Sequence, residues 1–282
     1  MKKMMENERT MVEKVENEGV IGSDEVGKVE PFKQLMVVAV YADPDVPRTA
    51  ENGNELNTGD SKKNSGAKER AIKLGKMLTG FENFDEIEDK VYTNEKYGLL
   101  YYIKIIPNEV YNEWEAKNTS KKRYGNALLA YAHNEALRKV YEEVKAQGKR
   151  VANIVVDDFI STKTLHKEQF REYTGWIAPE TECVTQLSDI QVIMEDHAED
   201  KYRHTVGAAS NIGDYVDQLW HKKVIAAFQE CGVPFKSTWF DNFHSQSEVN
   251  YVFNLIAEKC GDVDKAPVTV KHTEYYKRWK NK

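Results

Sequence analysis

Apolar residues are distributed along this chain in two distinct patterns. Residues 35–42 read LMVVAVYA, a run of strand length that is apolar throughout, as expected of a strand covered on both faces. Residues 99–106 (LLYYIKII) form a second such run, closed by Pro107. Shorter runs at 20–24, 151–156 and 190–194 also predict strands. Between them apolar positions recur at helical spacing, over 68–78, 126–147, 206–230 and 247–258. In the second of these, Leu137, Val140, Tyr141 and Val144 stand at i, i+3, i+4 and i+7 and make one stripe, and Gly148 ends the helix. Pro44, Pro47 and the Asn/Gly-rich stretch 51–59 predict a loop.

The order of these elements sets the expected topology. Strands joined without an intervening helix favour antiparallel pairing, and strands separated by helices favour parallel pairing. The prediction is therefore an α/β fold: a mixed five-stranded sheet flanked by helices, with additional C-terminal helices. Residues 1–18 alternate charges with a few apolar side chains and predict a polar N-terminal arm; residues 19–282 predict one domain.

Composition narrows the function classes. No run approaches the ~18 consecutive apolar residues of a membrane span, and the charged N-terminus lacks the apolar centre of a secretory signal. Cys183, Cys231 and Cys260 are far apart in sequence with no Cys-x-x-Cys pair, so neither a zinc site nor a disulfide framework is indicated; reduced thiols in a cytoplasmic protein are expected. The net charge of −6 is not that of a general nucleic-acid binder, although a site built from carboxylates would itself make the chain acidic. Basic runs at 62–63, 121–123, 222–223 and 271–282 read first as solvated surface.

The acids are placed less evenly than the bases. Asp24 and Glu25 close the first strand, Asp157 and Asp158 the fourth, and Glu195, Asp196, Glu199 and Asp200 the fifth. Ligands of α/β sheets tend to sit at the carboxyl ends of strands. Carboxylates gathered there repel one another unless a cation intervenes, and an all-oxygen donor set suits Mg²⁺ or Mn²⁺ over zinc. Adjacent strand residues point to opposite faces. Asp24 and Glu25 therefore share a site only if the strand breaks there, with Gly27 as the expected place.

At this point a resemblance becomes specific. The segment Gly22-Ser23-Asp24-Glu25-Val26-Gly27-Lys28 resembles the opening strand of ribonucleases HII and HIII, Gly-x-Asp-Glu-x-Gly followed by Lys or Arg and Gly. Residues 59–63 resemble the family's Asp-Ser-Lys-Lys segment. Residues 126–133 and the strand 154–159 are similar to type 3 segments. Residues 197–200 followed by 206–210 resemble a further type 3 pair, in which Glu occupies the fourth acidic position, as Glu199 does here. The resemblance, closest to ribonuclease HIII, runs from residue 20 to about 215, without the N-terminal substrate-binding domain usual in that group. It implies a ribonuclease H-like catalytic domain with Asp24, Glu25, Asp157 and Glu199 as catalytic, metal-binding carboxylates for two Mg²⁺ or Mn²⁺ ions. It further implies that Gly27, Lys28, Val29, Ser61, Lys62 and Ser210 bind substrate. The implied enzyme is an endonuclease that hydrolyses the RNA strand of RNA–DNA hybrids to 5′-phosphate and 3′-hydroxyl ends, with no membrane and no obligate protein partner.

Three departures bear on this expectation. The family's third loop glycine is Val29, its aromatic-Gly-Pro is Phe32-Lys33-Gln34, and its apolar pair and Ala are Asn211-Ile212-Gly213. The loop reads ribose 2′-hydroxyls, the group that separates RNA from DNA, and valine resists the close approach that glycine permits. Two alternatives follow: a metal nuclease with a changed substrate, or a catalytically altered relative that binds nucleic acid or a protein partner. Among other residues, His133 is expected to be packed and hydrogen-bonded. His197, which replaces a family lysine, has a ring suited to phosphate or to proton uptake.

Overall fold

The computed structural model describes residues 19–28, 30–48, 56, 58, 66–118, 124–157, 190–195, 197–240 and 245–281. The expected N-terminal arm, together with Val29, Ser61, Lys62, Asp158 and Asp196, lies outside these residues. β1 (Val20–Val26) and β2 (Leu35–Ala42) form a hairpin, and β4 (Leu99–Ile106) pairs antiparallel with the far edge of β2. On the other side β1 pairs parallel with β5 (Asn153–Asp157), and β5 pairs parallel with β6 (Gln191–Glu195). The expected mixture of antiparallel and parallel pairing is present.

The sheet has six strands rather than the expected five, in the order β3-β4-β2-β1-β5-β6. The additional edge strand, β3 (Tyr92–Asn94), is three residues long and too short to give a hydrophobic period. The apolar uniformity of β2 has a direct cause. Leu35, Val37, Ala39 and Tyr41 face one core layer, and Met36, Val38, Val40 and Ala42 face the other. The first layer is closed by α3 (Tyr124–Ala146), through Leu129, Ala136, Leu137 and Val140. The second is closed by α1 (Ala67–Thr79) and α5 (Ala208–Glu230), through Leu78, Ile212, Tyr215 and Leu219.

Gly213 of α5 faces Val26 and Val38, and a Cβ there would meet them at 3.6 and 3.7 Å, ordinary contact distances. Glycine inside a helix costs roughly 0.5–1 kcal/mol relative to alanine. Gly213→Ala, which restores the family's residue type, is expected to raise stability by about that amount; a denaturant midpoint at or below wild type would show that the contact is already tight.

A third cluster lies beyond the sheet. Phe32, fully buried, leaves the β1–β2 hairpin to pack among Phe228, Phe235 and Phe253, the last on α6 (Gln246–Cys260). The indole N–H of Trp220 donates to the Phe32 carbonyl at 2.8 Å. Cys231 and Cys260 are free thiols in this region; burial, with Cys231 alongside, pushes the Cys260 thiol up. The reading of 271–282 as solvated surface holds for Arg278 and Lys280, which are exposed, and fails at the start of the run. Lys271 is fully buried, and Glu274–Lys280 forms a helix, α7, whose Tyr276 is buried against α6. Among the described residues no helix is long and apolar enough to cross a membrane.

Candidate active site

Register brings the acids to one edge of the sheet. Ser23 pairs with Val156 across parallel β1 and β5, so the next residues, Asp24 within β1 and Asp157 at the end of β5, lie side by side where that parallel ladder stops. Asp157 in turn pairs with Glu195 of β6. Beyond β6, His197 takes a left-handed conformation (φ 57°) that turns the chain into the short helix α4 (Ala198–Lys201). The Ala198 N–H donates to Asp157 Oδ1 at 2.9 Å, docking the turn that carries the buried Glu199 against β5. Lys201 fixes the same turn from outside, with its ammonium 2.9 and 3.0 Å from the two Glu195 oxygens. His197 is largely exposed, and its Nδ1 stands 4.0 Å from Glu199 Oε1.

A π turn, Arg203–Gly207, then leads into α5. Single π turns within helices recur at functional sites, and this one crosses directly over β1. A Cβ on Gly22 would lie 2.5 Å from the Val206 amide nitrogen and 2.8 Å from the Thr205 Cβ. Ser210, half-buried, is on the first turn of α5 just beyond the crossing.

The expected break in β1 at Asp24–Glu25 does not occur. Pairing continues through Glu25–Val37 to Val26–Met36, so the two acids lie on opposite faces. Glu25 shares its face with Ser23, and both address His133 of α3, Ser23 Oγ 2.9 Å from Nδ1 and Glu25 Oε2 3.4 Å from Nε2. The fully buried His133 is thus packed and hydrogen-bonded to Ser23, with Glu25 against its other nitrogen. Asp24 takes the face of Gly22 and the π turn, and its Oδ1 accepts from the Glu25 N–H at 2.8 Å.

The backbone therefore gathers Asp24, Asp157 and Glu199, and holds Glu25 one face away. Among the described residues no three His, Cys, Asp or Glu side chains already form a cation cage, because the carboxylates engage protein groups. Their donor chemistry, all oxygen at a strand-end edge, fits a hard divalent cation.

Next to the acids is the loop joining β1 to β2. Gly27 has φ +77°, and a Cβ there would overlap the Gln34 carbonyl oxygen at 1.9 Å, so the loop closes on itself only with glycine. Lys28, part exposed, places its ammonium 4.0 Å from Glu25 Oε1. Lys33, just past the loop, is buried in a pair with Asp217 at 3.0 Å, and His221 approaches the same carboxylate at 3.1 Å. Burial alone would raise the Asp217 pKa; His221 and Lys33 outweigh it and hold the group below the ordinary carboxylate value. Lys33-Gln34, one of the departures from the family, thus has a structural role of its own.

Lys271 begins the C-terminal basic run of the sequence. Its amine donates to the Gly27 carbonyl, its N–H donates to the Pro31 carbonyl at 2.8 Å, and it lies over the Tyr111 ring. Burial pushes the amine down to about 7; Glu30 and Asp217 oppose that shift and Lys33 adds to it. An unfolded lysine titrates near ~10.4. Between these values the unfolded chain binds the extra proton, so stability rises with pH across that window. The melting temperature is expected to climb from pH 7 to pH 9.5 more steeply in wild type than in Lys271→Met; parallel slopes would show that the amine is not linked to folding.

No family model and no curated protein matches the sequence. Solved structures do. Bst-RNase HIII aligns at 20% identity over 96% of this chain and 71% of its own, with a TM-score of 0.61. The chain has the type 2 ribonuclease H fold. The Mn²⁺ complex of Bst-RNase HIII, at 17% identity, covers the same shares of the two chains with a TM-score of 0.57. Ribonuclease H2 from Pyrococcus horikoshii aligns at 18% identity over 93% of this chain and 97% of its own, also at 0.57. At these identities the likeness concerns the type 2 ribonuclease H fold itself, and the chemistry must be argued from this chain's own residues.

Proposed function

We propose that this protein is a metal-dependent endoribonuclease that cuts the RNA strand of RNA–DNA hybrids, leaving 5′-phosphate and 3′-hydroxyl ends. One observation supports this above the others. The β1–β5 register brings Asp24 beside Asp157 where the parallel ladder stops, and Asp157 docks the turn that carries Glu199. Asp24, Asp157, Glu199 and, from the adjoining face, Glu25 would hold two Mg²⁺ or Mn²⁺ ions. A related fold carrying Mn²⁺ adds support. Such a pair of ions, when bound, activates a water and stabilises the departing 3′ oxygen.

The remaining functions belong to the chain. His133 keeps the Glu25 carboxylate turned toward α3 until a cation competes for it. Lys28, beside Glu25, and Ser210, on the first turn of α5, would meet phosphate oxygens, with Ser61 and Lys62 assigned the same role from the family resemblance. Gly27 and Lys28 lead the loop that would lie along the ribose edge. The protein would act in the cytoplasm on nucleic acid alone.

The test is an end-labelled RNA strand, paired with DNA or with RNA, alongside duplex DNA, each incubated with Mg²⁺ or Mn²⁺. Metal-dependent cutting confined to the hybrid is expected. Val29, in the position of the family's glycine, favours a second reading, a metal nuclease with altered substrate choice. Cutting of RNA or DNA duplex in preference to hybrid would establish that reading; no cutting of any substrate would sink both.

A further inference from the structure

The β1–β2 loop is held from a part of the chain distant in sequence. Residues 269–273 run alongside α2 (Asn108–Asn118), and α2 fixes their register. Asn112 donates from Nδ2 to the Val270 carbonyl at 2.8 Å and accepts at Oδ1 from the His272 N–H at 2.7 Å. One amide thus brackets Lys271 on both sides. Asn108, one turn earlier, donates to the Thr269 carbonyl at 2.8 Å, and Glu115, one turn later, pairs with Lys277 at 2.7 Å. These residues stand at i, i+4 and i+7 and form one stripe of the helix. With its neighbours pinned outward, Lys271 faces inward, and its N–H and its amine reach two carbonyls of the loop, Pro31 and Gly27.

We propose that Lys271 is a positioning residue for substrate binding, holding the Gly27 and Pro31 carbonyls so that Gly27 and Lys28 present a fixed edge to the ribose–phosphate backbone. This rests on the nuclease reading of the site. Several observations support the role over simple packing. A lysine is an expensive residue to bury without a task, and this one is fully buried. Its amine meets a backbone carbonyl beside a left-handed glycine whose geometry the loop requires. Its amine also lies over an aromatic face, 5.2 Å from the Tyr111 centroid. The group is therefore aimed at the loop.

Two variants and two readouts test this. Lys271→Met keeps the volume and removes the donor; Asn112→Leu leaves Lys271 in place and removes the bracket that aims it. In both, amide hydrogen exchange of the peptide spanning residues 26–31 is expected to speed up by about tenfold, the worth of one buried hydrogen bond, with exchange in β2 and β4 unchanged. KM for the hybrid is expected to rise about tenfold with kcat within twofold, the signature of lost ground-state binding. Unchanged exchange in the folded Lys271→Met protein would overturn the proposal. So would a fall in kcat with KM constant, which would place the residue in the chemistry. Exchange needs no turnover, so a wild-type protein that cuts nothing would fail the nuclease reading while the hold on the loop is still decided.

Discussion

Asp24→Asn is expected to abolish metal-dependent cleavage of an RNA–DNA hybrid while leaving the melting temperature within a few degrees of wild type. The substitution is nearly isosteric, and the asparagine oxygen can still accept from the Glu25 N–H that Asp24 Oδ1 accepts now. Neighbouring β-ladder pairs, Ser23–Ala39 and Glu25–Val37, are backbone contacts and are untouched. What disappears is the charge. A neutral amide at position 24 would leave Asp157, Glu199 and Glu25 to hold the cations. The loss should exceed the ~10–100-fold that removal of an outer-shell partner costs a metal site. Single-turnover rates over a range of Mn²⁺ concentrations would measure it. Turnover near the wild-type rate would mean that Asp24 is not a ligand and that the strand-end assignment is wrong.

Gly22→Ala is expected to damage stability and activity together. The added methyl would stand 2.5 Å from the Val206 nitrogen and 2.7 Å from its Cγ2, and the first of these is backbone that cannot rotate away. Overpacking of this kind costs ~1–3 kcal/mol. The π turn must lift from β1, and it continues directly from the helix that carries Glu199. A displacement near 1 Å at a reacting group can lower the rate by about 10²-fold. A thermal melt and a kcat measurement check both halves. A variant with wild-type melting and turnover would show that β1 and the turn are not packed as closely as described.

Much of this architecture was legible before any coordinates. The two longest apolar runs are β2 and β4, and Asp24, Asp157 and Glu195 fall at one edge of the sheet because β1, β5 and β6 run parallel. The information missed was short or non-local. β3 is below the length at which a period of two can be seen. α2 carries a weak apolar face, because its inward stripe is Asn108, Asn112 and Glu115, polar residues that bind a distant strand of chain. Lys271 is read by any local rule as surface, and only the tertiary contacts with Gly27 and Pro31 bury it. The continuity of β1 past Asp24 was also hidden, since Gly27 suggested a break that the ladder to β2 prevents until Val26.

The bond between Lys271 and Gly27 joins positions 244 residues apart. Contacts of such separation form late, because a long segment must be ordered before they are rewarded. During synthesis the stretch around residue 27 emerges with the first strand, and its partner follows only after the whole sheet and most of the helices. A nascent chain with a complete sheet would therefore still lack a shaped loop beside the acids until residues 269–273 docked.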